Sequence, residues 1–456
     1  MEKETAMIDI RLVREDFERV RKAIARRNDA EKLELLGQLK KDDERLRELK
    51  VEVESLRAKR NSISQEIGRL KKEGKDVSQA LKDASDLPKK ITAIELEQVT
   101  LEDSVKSALM RIPNTPHESV PDGKTEEDNK EIKKAGKPKK QSFEPIAHGE
   151  LAEERLKLAD FRKAGEVAGA GFNYVLGDLA ALDRALQQYA IDHLSKKGYT
   201  LVEPPLMLHR KAMEGAVSPD AFQDMIYKIE GEDLYLIGTS EHSIAALMEG
   251  EVVPEERVPL KFAGVSPCFR KEIGSKNVDT RGFYRMHQFN KVEQFIFCKA
   301  KDSWKYHEEL LKNTEELWKG LGMPYRVIVL CAGDTGKVAA KTYDLEVWFP
   351  RQQKYGEVAS CSNCTDYQAR RLNVKWGLIG GEKELMHTLN STAIATSRAL
   401  VAILENYQNT DGSVTIPKVL QKYMGGKKVI KPVEAKTKPA PKTGKTPSKA
   451  KTKKKK

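Results

Sequence analysis

The stretch FRKEIGSKNVDTRGFYRMHQFNKVEQF, residues 269–295, decides the fold of this chain. β-like apolar segments flank a polar, basic loop, and this pattern predicts a β-hairpin with charged residues at both bases. Arginine can grip a phosphate or a carboxylate in bidentate fashion, and glutamate can accept an ammonium or a hydroxyl. A surface hairpin laced with ion pairs is the alternative. The loop residues that carry the prediction are Gly274, Ser275, Lys276, Asn277, Asp279 and Gly282.

The net charge of +12 is concentrated at one end of the 456-residue chain. Residues 427–456 contain thirteen lysines and one glutamate, so residues 1–426 are close to neutral. A high pI therefore predicts nucleic-acid binding for the tail and not for the folded part. The tail cannot bury a core, and we expect it to be disordered. It would either solubilise the protein or contact the phosphates of a nucleic acid.

Cysteine content and hydropathy predict a cytoplasmic protein. Five cysteines are few and odd in number, which argues against a disulfide framework. No apolar run approaches the ~18 residues that span a bilayer, and the first residues lack signal-peptide character. We therefore expect no membrane partner.

Two apolar seams in the first part of the chain predict an antiparallel coiled-coil hairpin. Lys71 to Asp86 contains Gly74 and no seam, so it should hold the turn. A dimerisation coiled coil is the alternative. The first seam is Leu39, Asp42, Leu46, Leu49, Val53, Leu56, Arg60, Ile63, Ile67 and Leu70, and the second is Leu87, Ile91, Ile94, Gln98, Leu101, Val105, Ala108 and Ile112.

The remaining segments predict an α+β domain built on an antiparallel sheet. Strand-like runs are joined by hairpins or single helices without βαβ alternation, which argues against a Rossmann fold. Residues rich in Pro, Gly, Lys and Glu precede this domain and read as a linker. The predicted division is 1–112 helical hairpin, 113–142 linker, 143–426 catalytic domain and 427–456 tail. The predicted strands are 234–238, 258–265, 294–298, 325–332, 345–349 and 356–359, and the predicted helices are 240–248, 303–321 and 392–408.

Four ordered motifs resemble the class II aminoacyl-tRNA synthetases, in the form carried by seryl-tRNA synthetases. One of the four is the hairpin, which is similar to motif 2 of that family. In addition to the four, Tyr199–Pro205 is similar to motif 1, which forms much of the family's dimer interface. The resemblance covers roughly residues 1–426 and implies a homodimer. It also implies that the helical hairpin is a tRNA-binding arm. The other matching stretches are GTSE at 238–241, GEVASCSNC at 356–364 and LNST at 389–392, leading to Arg398.

The resemblance implies an ATP site and a serine site. Arg270 and Arg398 would be the catalytic residues, with Arg270 on the α-phosphate and then on the serine carboxylate. Phe289 and Arg398 would sandwich the adenine ring, as a π face and a planar cation can. The implied ATP-binding residues are Arg270, Lys271, Glu272, Met286, Phe289, Glu357, Val358, Ala359, Ser360 and Arg398. The implied serine-binding residues are Thr239, Ser240, Glu241, Arg270, Glu293 and Thr392.

Glu357 and Ser360 offer hard oxygen ligands that suit Mg²⁺. Because Val358 intervenes, a turn or bulge near Ala359 is required to bring both side chains to one face. Cys361 and Cys364 have the spacing of half a zinc site, but no second pair completes it. We expect these cysteines to pack in the structure, with no zinc.

The predicted activity is ATP-dependent attachment of L-serine to its tRNA through a seryl-adenylate. The resemblance also implies serylation of selenocysteine tRNA where the cell has one. Two other hypotheses stay open from the sequence. One is a related protein that activates an amino acid for a non-tRNA acceptor, and the other is a non-catalytic coiled-coil RNA-binding protein.

Overall fold

The computed structural model of the chain describes residues 9–272, 282–378 and 380–433. Most of the predicted hairpin loop, Gly274 to Asp279, lies outside these residues, as does the lysine-rich tail beyond Val433. In the described part of the chain, no helix is long and apolar enough to cross a membrane.

Five helices form the N-terminal part of the chain. They are α1 (Ile10–Glu15), α2 (Phe17–Ala25), α3 (Ala30–Lys72), α4 (Ser78–Ser85) and α5 (Leu87–Arg111).

The long helices α3 and α5 pack antiparallel, which confirms the predicted helical hairpin. The seam residue Asp42 is buried, and it is satisfied by hydrogen bonds from Gln38 (2.6 Å) and from Ser104 of α5 (2.6 Å). The predicted turn contains the additional helix α4.

The C-terminal part contains seventeen strands and ten helices among the described residues. The helices are α6 (His148–Glu150), α7 (Phe161–Ala168), α8 (Gly177–Ser195), α9 (Arg210–Ala216), α10 (Pro219–Met225), α11 (Ser240–Leu247), α12 (Ser303–Gly320), α13 (Tyr367–Leu372), α14 (Thr396–Asn406) and α15 (Lys418–Gln421). The strands are β1 (Lys130–Ala135), β2 (Ala159–Asp160), β3 (Tyr174–Val175), β4 (Thr200–Val202), β5 (Met207–Leu208), β6 (Tyr235–Leu236), β7 (Val252–Val253), β8 (Leu260–Phe269), β9 (Gln288–Cys298), β10 (Tyr325–Val329), β11 (Lys341–Phe349), β12 (Lys354–Thr365), β13 (Lys375–Gly377), β14 (Lys383–Leu385), β15 (His387–Ala395), β16 (Val414–Thr415) and β17 (Val429–Ile430).

Eight strands form the central sheet, in the order β1-β10-β11-β12-β15-β9-β8-β4. All neighbours are antiparallel except β4 and β8, which agrees with the predicted α+β class. Strand β1 lies inside the segment that we interpreted as a linker, so the sheet begins within residues 113–142. The domain boundaries themselves stay predictions.

Each face of the sheet carries its own hydrophobic core. On β9, Val292 and Ile296 pack with α8, α12 and α14, whereas Phe295 and Phe297 pack with α9, α11 and α13. This alternation follows from the two-residue period of a strand. Odd-numbered residues nearer the N-terminal end of β9 therefore lie on the same face of the sheet as Phe295 and Phe297.

The start of the last core helix differs from the prediction. We expected a helix over 392–408, but β15 continues to Ala395 and α14 begins at Thr396. The small residues there are compatible with either structure, and their pairing with β9 favours the strand. Thr392 is thereby a strand residue that faces Glu293.

Candidate active site

The predicted hairpin is present and frames a cavity. Strands β8 and β9 pair antiparallel with Phe269 opposite Gln288, so Arg270 and Glu272 follow the first strand directly. Backbone hydrogen bonds fix this base, since the Arg270 amide donates to the carbonyl of His287 (3.0 Å). The Lys271 amide donates to the carbonyl of Met225 (3.0 Å) at the end of α10.

A cavity of about 160 Å³ lies above the sheet beside this hairpin. Strand alternation brings Phe289, Lys291 and Glu293 of β9 to it, and the neighbouring strands and α14 complete its walls. Its lining includes twelve of the predicted site residues: Glu241, Arg270, Glu272, Met286, Phe289, Glu293, Glu357, Val358, Ala359, Ser360, Thr392 and Arg398.

Three predicted site residues lie outside this lining. Thr239 is buried as the N-cap of α11, where its hydroxyl accepts the Glu241 amide (3.2 Å). Ser240 is buried behind it, against the sheet. Lys271 contributes its backbone to the hairpin base. For Thr239, the structure therefore indicates a role in orienting Glu241.

One end of the cavity holds two carboxylates. The Lys291 ammonium lies 2.5 Å from Glu293 Oε2, and the Thr392 hydroxyl donates to the same oxygen (3.3 Å). Glu241 Oε1 accepts hydrogen bonds from Gln368 (2.8 Å) and Asn390 (3.1 Å). Both carboxylates are thus held in fixed orientations by neutral and cationic donors.

The carboxyl group of Glu241 has a pKa close to neutral pH. Burial, with the charge of Glu293 acting in the same direction, raises the pKa of Glu241 to about 7. Lys291, the hydrogen bond from Gln368 and the charge of Arg270 oppose this shift. A cation that binds beside Glu241 would favour its ionised form.

The other end of the cavity carries arginines and oxygen ligands. Arg398 forms an ion pair with the carboxylate of Glu357 (2.8 Å) and donates a hydrogen bond to the backbone carbonyl of Glu357 (3.0 Å). The Ser360 hydroxyl lies 2.5 Å from Asp344 and 3.3 Å from Glu357. Burial and the charge of Glu357 raise the pKa of Asp344, whereas Arg398 lowers the pKa of Glu357 against the effect of burial.

The predicted bulge is confirmed. In the pairing of β11 with β12, Leu345 faces Ala359 and Glu346 faces Glu357, so Val358 is the extra residue. A bulge shifts the alternation by one, which brings Glu357 and Ser360 to one side of the strand.

The oxygen donors at this end fit Mg²⁺. In the described part of the chain, no three His, Cys, Asp or Glu side chains converge as a complete metal cage. Mg²⁺, however, usually takes one or two carboxylates and completes its shell with water and substrate phosphates. Glu357 and Ser360 are the residues that would hold it, with Asp344 accepting the Ser360 hydroxyl.

The aromatic contacts differ from the implied adenine sandwich. Arg270 lies over the ring of Phe289 at 5.4 Å, and Arg398 lies over the ring of Tyr284 at 5.4 Å. The stacking of adenine between Phe289 and Arg398 therefore stays a prediction. Tyr284 is a cavity residue that the sequence analysis did not single out.

Three further residues of the site, Lys291, Asn390 and Asp344, were not predicted from the sequence. The signal for Lys291 was available, because it shares strand parity with Phe289 and Glu293 in the quoted stretch. Asn390 and Asp344 contact the site through hydrogen bonds across strands, and their partners are distant in sequence.

Both cysteines of the CSNC run are buried free thiols in β12. The Cys361 thiol donates to the His307 carbonyl (3.6 Å), and the Cys364 sulfur accepts from Asn390 (3.5 Å). Asn390 in turn bonds Glu241, so the cysteine packs behind a residue of the cavity.

Known proteins similar to this chain share both of its parts. Residues 7–116 match the family model described as the seryl-tRNA synthetase N-terminal domain. Residues 226–407 match the model of the tRNA synthetase class II core domain (G, H, P, S and T). The sheet, the hairpin with its arginine and these matches define a class II aminoacyl-tRNA synthetase.

Relatives that match this chain over nearly their whole length identify the family within this class. A serine–tRNA ligase of Methanocella arvoryzae is 50% identical over 92% of this chain and 99% of its own length. The crystal structure of seryl-tRNA synthetase from Pyrococcus horikoshii complexed with ATP has a TM-score of 0.89 at 44% identity, covering 94% of this chain and 100% of that one. The cytoplasmic serine–tRNA ligase of Naegleria fowleri in complex with AMP has a TM-score of 0.84 at 35% identity, covering 93% and 99%. The chain belongs to the seryl-tRNA synthetase family.

Proposed function

We propose that this chain attaches L-serine to its tRNA at the expense of ATP, through a seryl-adenylate. The observation that carries the proposal is one cavity with Glu241 and Glu293 at one end, Arg398 with Glu357 at the other, and Arg270 in the same lining. The first end suits an ammonium and a hydroxyl, and the second suits a phosphate. Serine and the α-phosphate of ATP would meet between them.

The first step joins serine to AMP. A serine carboxylate oxygen attacks the α-phosphorus, an oxygen–phosphorus bond forms, and the bond to pyrophosphate breaks. Arg270 would hold the α-phosphate and the serine carboxylate together, and Arg398 would hold the nucleotide from α14. No protein nucleophile is required, because positioning and charge stabilisation supply the rate.

Mg²⁺ would neutralise charge on the ATP phosphates. Glu357 and Ser360 are the proposed ligands, and Arg398 keeps Glu357 ionised through its direct bond (2.8 Å). ATP is the proposed nucleotide because relatives with this fold were crystallised with ATP and with AMP.

The second step transfers the seryl group. A hydroxyl of the terminal adenosine of the tRNA attacks the acyl carbon, an ester forms and AMP leaves. The same reaction would serve a selenocysteine tRNA that offers the same recognition elements. The helical hairpin α3–α5 is the proposed tRNA-binding arm, with basic side chains such as Lys50 and Arg57 on its exposed surface.

The proposal includes a cytoplasmic homodimer. The exposed side chains of Tyr174, Leu176 and Leu201 present apolar surface at β3, at the start of α8 and on the edge strand β4. Burying such surface against a second copy would be favourable. The domain roles follow the same proposal, with 1–112 as arm and 143–426 as catalytic domain.

ATP–pyrophosphate exchange with serine, threonine and alanine, measured in parallel, tests the amino-acid part of the proposal. Serine should support exchange, and alanine should be worse by up to about 10⁴-fold because it leaves buried polar groups unpaired. Threonine should be rejected less strongly, through its extra methyl. Exchange with another amino acid only would favour a related protein with a different substrate, and no exchange at all would favour a non-catalytic RNA-binding protein.

A further inference from the structure

Lys291 is a buried lysine in the middle of the candidate active site. Its side chain is 6% exposed, and its nearest charged group is Glu293, two residues along the same strand. Across the sheet it faces Ser266 of β8 and Ala395 of β15, which are small and carry no charge. A buried ammonium needs a partner, and here the partner is a proposed substrate-binding carboxylate.

In each of the two carboxylates, Glu241 and Glu293, the contacts with other side chains fall on one of the two oxygens. Lys291 forms an ion pair with Glu293 Oε2, to which Thr392 also donates a hydrogen bond, and Gln368 and Asn390 both donate to Glu241 Oε1. The hydrogen bonds among the described residues leave Glu293 Oε1 and Glu241 Oε2 for a ligand. Lys291 therefore orients Glu293 without using the oxygen that a substrate needs.

Two carboxylates, Glu241 and Glu293, and two cations, Lys291 and Arg270, lie at this end of the cavity. Glu241 and Glu293 supply two negative charges, and Lys291 neutralises one of them at 2.5 Å. Arg270 Nε donates to the carbonyl of Gly238 (3.1 Å) at the side of this group. The titratable and charged groups that face Lys291 are Glu293 on β9, Glu241 and His242 on α11, Cys268 on β8 and Arg270 after β8.

We propose that Lys291 is a positioning residue for serine, which fixes Glu293 through one oxygen and leaves the other oxygen for the substrate. With Arg270 directed at the serine carboxylate, the serine ammonium and hydroxyl reach the free oxygens of Glu293 and Glu241. This inference rests on the proposed function, because it assigns a role within the same serine site.

The competing role is purely structural, in which Lys291 only fills space and pairs a buried charge. The two roles differ in their pH dependence. Lys291 lowers the pKa of Glu241, so its removal should raise that pKa further and keep Glu241 protonated to higher pH. Loss of packing alone would weaken serine binding by the same factor at every pH.

The test is calorimetric titration of the full-length protein with L-serine between about pH 6 and about pH 8. Lys291→Met should raise the serine Kd at least about tenfold at the acid end, and the ratio to the wild type should shrink as the pH rises. Ionisation of free serine cancels in that ratio. A ratio that is independent of pH would overturn the proposal, as would unchanged affinity.

Three further variants complete the experiment. Lys261→Met removes another paired strand lysine, bonded to Glu309 at 2.8 Å outside the cavity, and it should leave serine binding unchanged. Lys291→Arg keeps the cation and should keep the wild-type pH profile. In the double variant Lys291→Met/Glu293→Gln, Glu241 is the one carboxylate of this pair that remains. The additional pH dependence of the serine Kd seen in Lys291→Met should therefore disappear.

The outcomes separate this inference from the proposed function. If the wild type fails to bind serine, the proposed function fails first. If the wild type binds serine and Lys291→Met does not fold, Lys291→Arg decides. A loss of serine affinity in Lys291→Arg by a pH-independent factor would show a packing role and contradict the proposal.

Discussion

Arg270 is the residue to which the proposed mechanism assigns contacts with both reacting groups, the α-phosphate and the serine carboxylate. It leaves β8 at the base of the hairpin, and its guanidinium lies between the Phe289 ring and the carbonyl of Gly238. From there it can reach a phosphate and a carboxylate that react with each other. A planar cation with several donors is suited to both groups.

Arg270→Ala should lower serine-dependent ATP–pyrophosphate exchange by at least about 10²–10³-fold, because it removes a donor aimed at charge that develops in the reaction. The thermal unfolding temperature should change little. Arg326→Ala is a suitable control, since Arg326 lies on β10, outside the cavity, and is paired with Glu131 and Glu346. Near-normal exchange in Arg270→Ala would refute the assigned role.

Serine affinity should depend on pH through Glu241. The pKa of this carboxyl is raised to about 7 by burial and by Glu293, and only the ionised form attracts an ammonium. As the pH falls below about 7, Glu241 takes up a proton and the serine Kd should rise toward tenfold per pH unit.

Glu241→Gln removes the titrating group, so it should bind serine more weakly and flatten this pH dependence. Calorimetry at about pH 6, about pH 7 and about pH 8 measures both effects. Wild-type affinity that stays constant over this range would contradict the assignment.

At the residue scale, sequence analysis identified the arginines and carboxylates whose chemistry is specific. It missed Lys291, whose charge reads as an ordinary strand lysine until its burial is known. The direct serine contact of Thr239 stays a prediction, and the structure adds that this residue is the N-cap of α11, where its hydroxyl accepts the Glu241 amide. Burial and cross-strand partners depend on tertiary packing, which one sequence does not report.

The close approach of α11 to β8 is the element contact on which the serine site depends. Helix α11 carries Glu241, and it packs over Gly264 of β8. A Cβ at Gly264 would lie 2.5 Å from Ser240 Oγ and 2.5 Å from Ile244 Cδ1. Only glycine lets the helix lie this close to the sheet.

Gly264→Ala should push α11 outward, destabilise the protein by about 1–3 kcal/mol and raise the KM for serine more than the KM for ATP. Gly165→Ala is a matched control in α7, because a Cβ there meets nothing within 4 Å. That control should be neutral or more stable by up to about 1 kcal/mol. Equal effects of Gly264→Ala on both substrates would contradict a displaced α11.

At the element scale, periodicity and spacing predicted the hairpin β8–β9, the bulge in β12 and the long helices. They failed where composition is ambiguous. Residues 392–395 are mostly small and were assigned to a helix, but they pair with β9 and belong to β15.

The junction between the arm and the catalytic part holds the whole molecule together. Arg27 is buried there and donates to the carbonyls of Asn114 (2.7 Å), Thr335 (2.7 Å) and Ala339 (2.6 Å). Arg371 of α13 bonds the carbonyl of Met110 (2.6 Å) at the end of α5. A fixed junction sets the direction in which the arm projects.

The outer half of the arm buries few side chains: no described residue of α3 beyond Val53 is buried, and within residues 55–92 only Leu87 and Ile91 of α5 are. A variant that replaces residues 55–92 with a short turn keeps the core at the arm base. It should retain exchange within about twofold and lose tRNA charging by about 100-fold or more, because the arm is the proposed site of contacts with tRNA phosphates. Charging at the wild-type rate would contradict a role of the arm in tRNA binding.

Serine charging of a serine-accepting tRNA by the full-length protein tests the central claim most directly. With ATP and Mg²⁺ present, labelled serine should accumulate on the 3′-terminal adenosine of that tRNA and not on a tRNA for alanine. Exchange should be active in the same preparation. Serine-dependent exchange without any charging of the tRNA would contradict the account and would indicate a different acceptor.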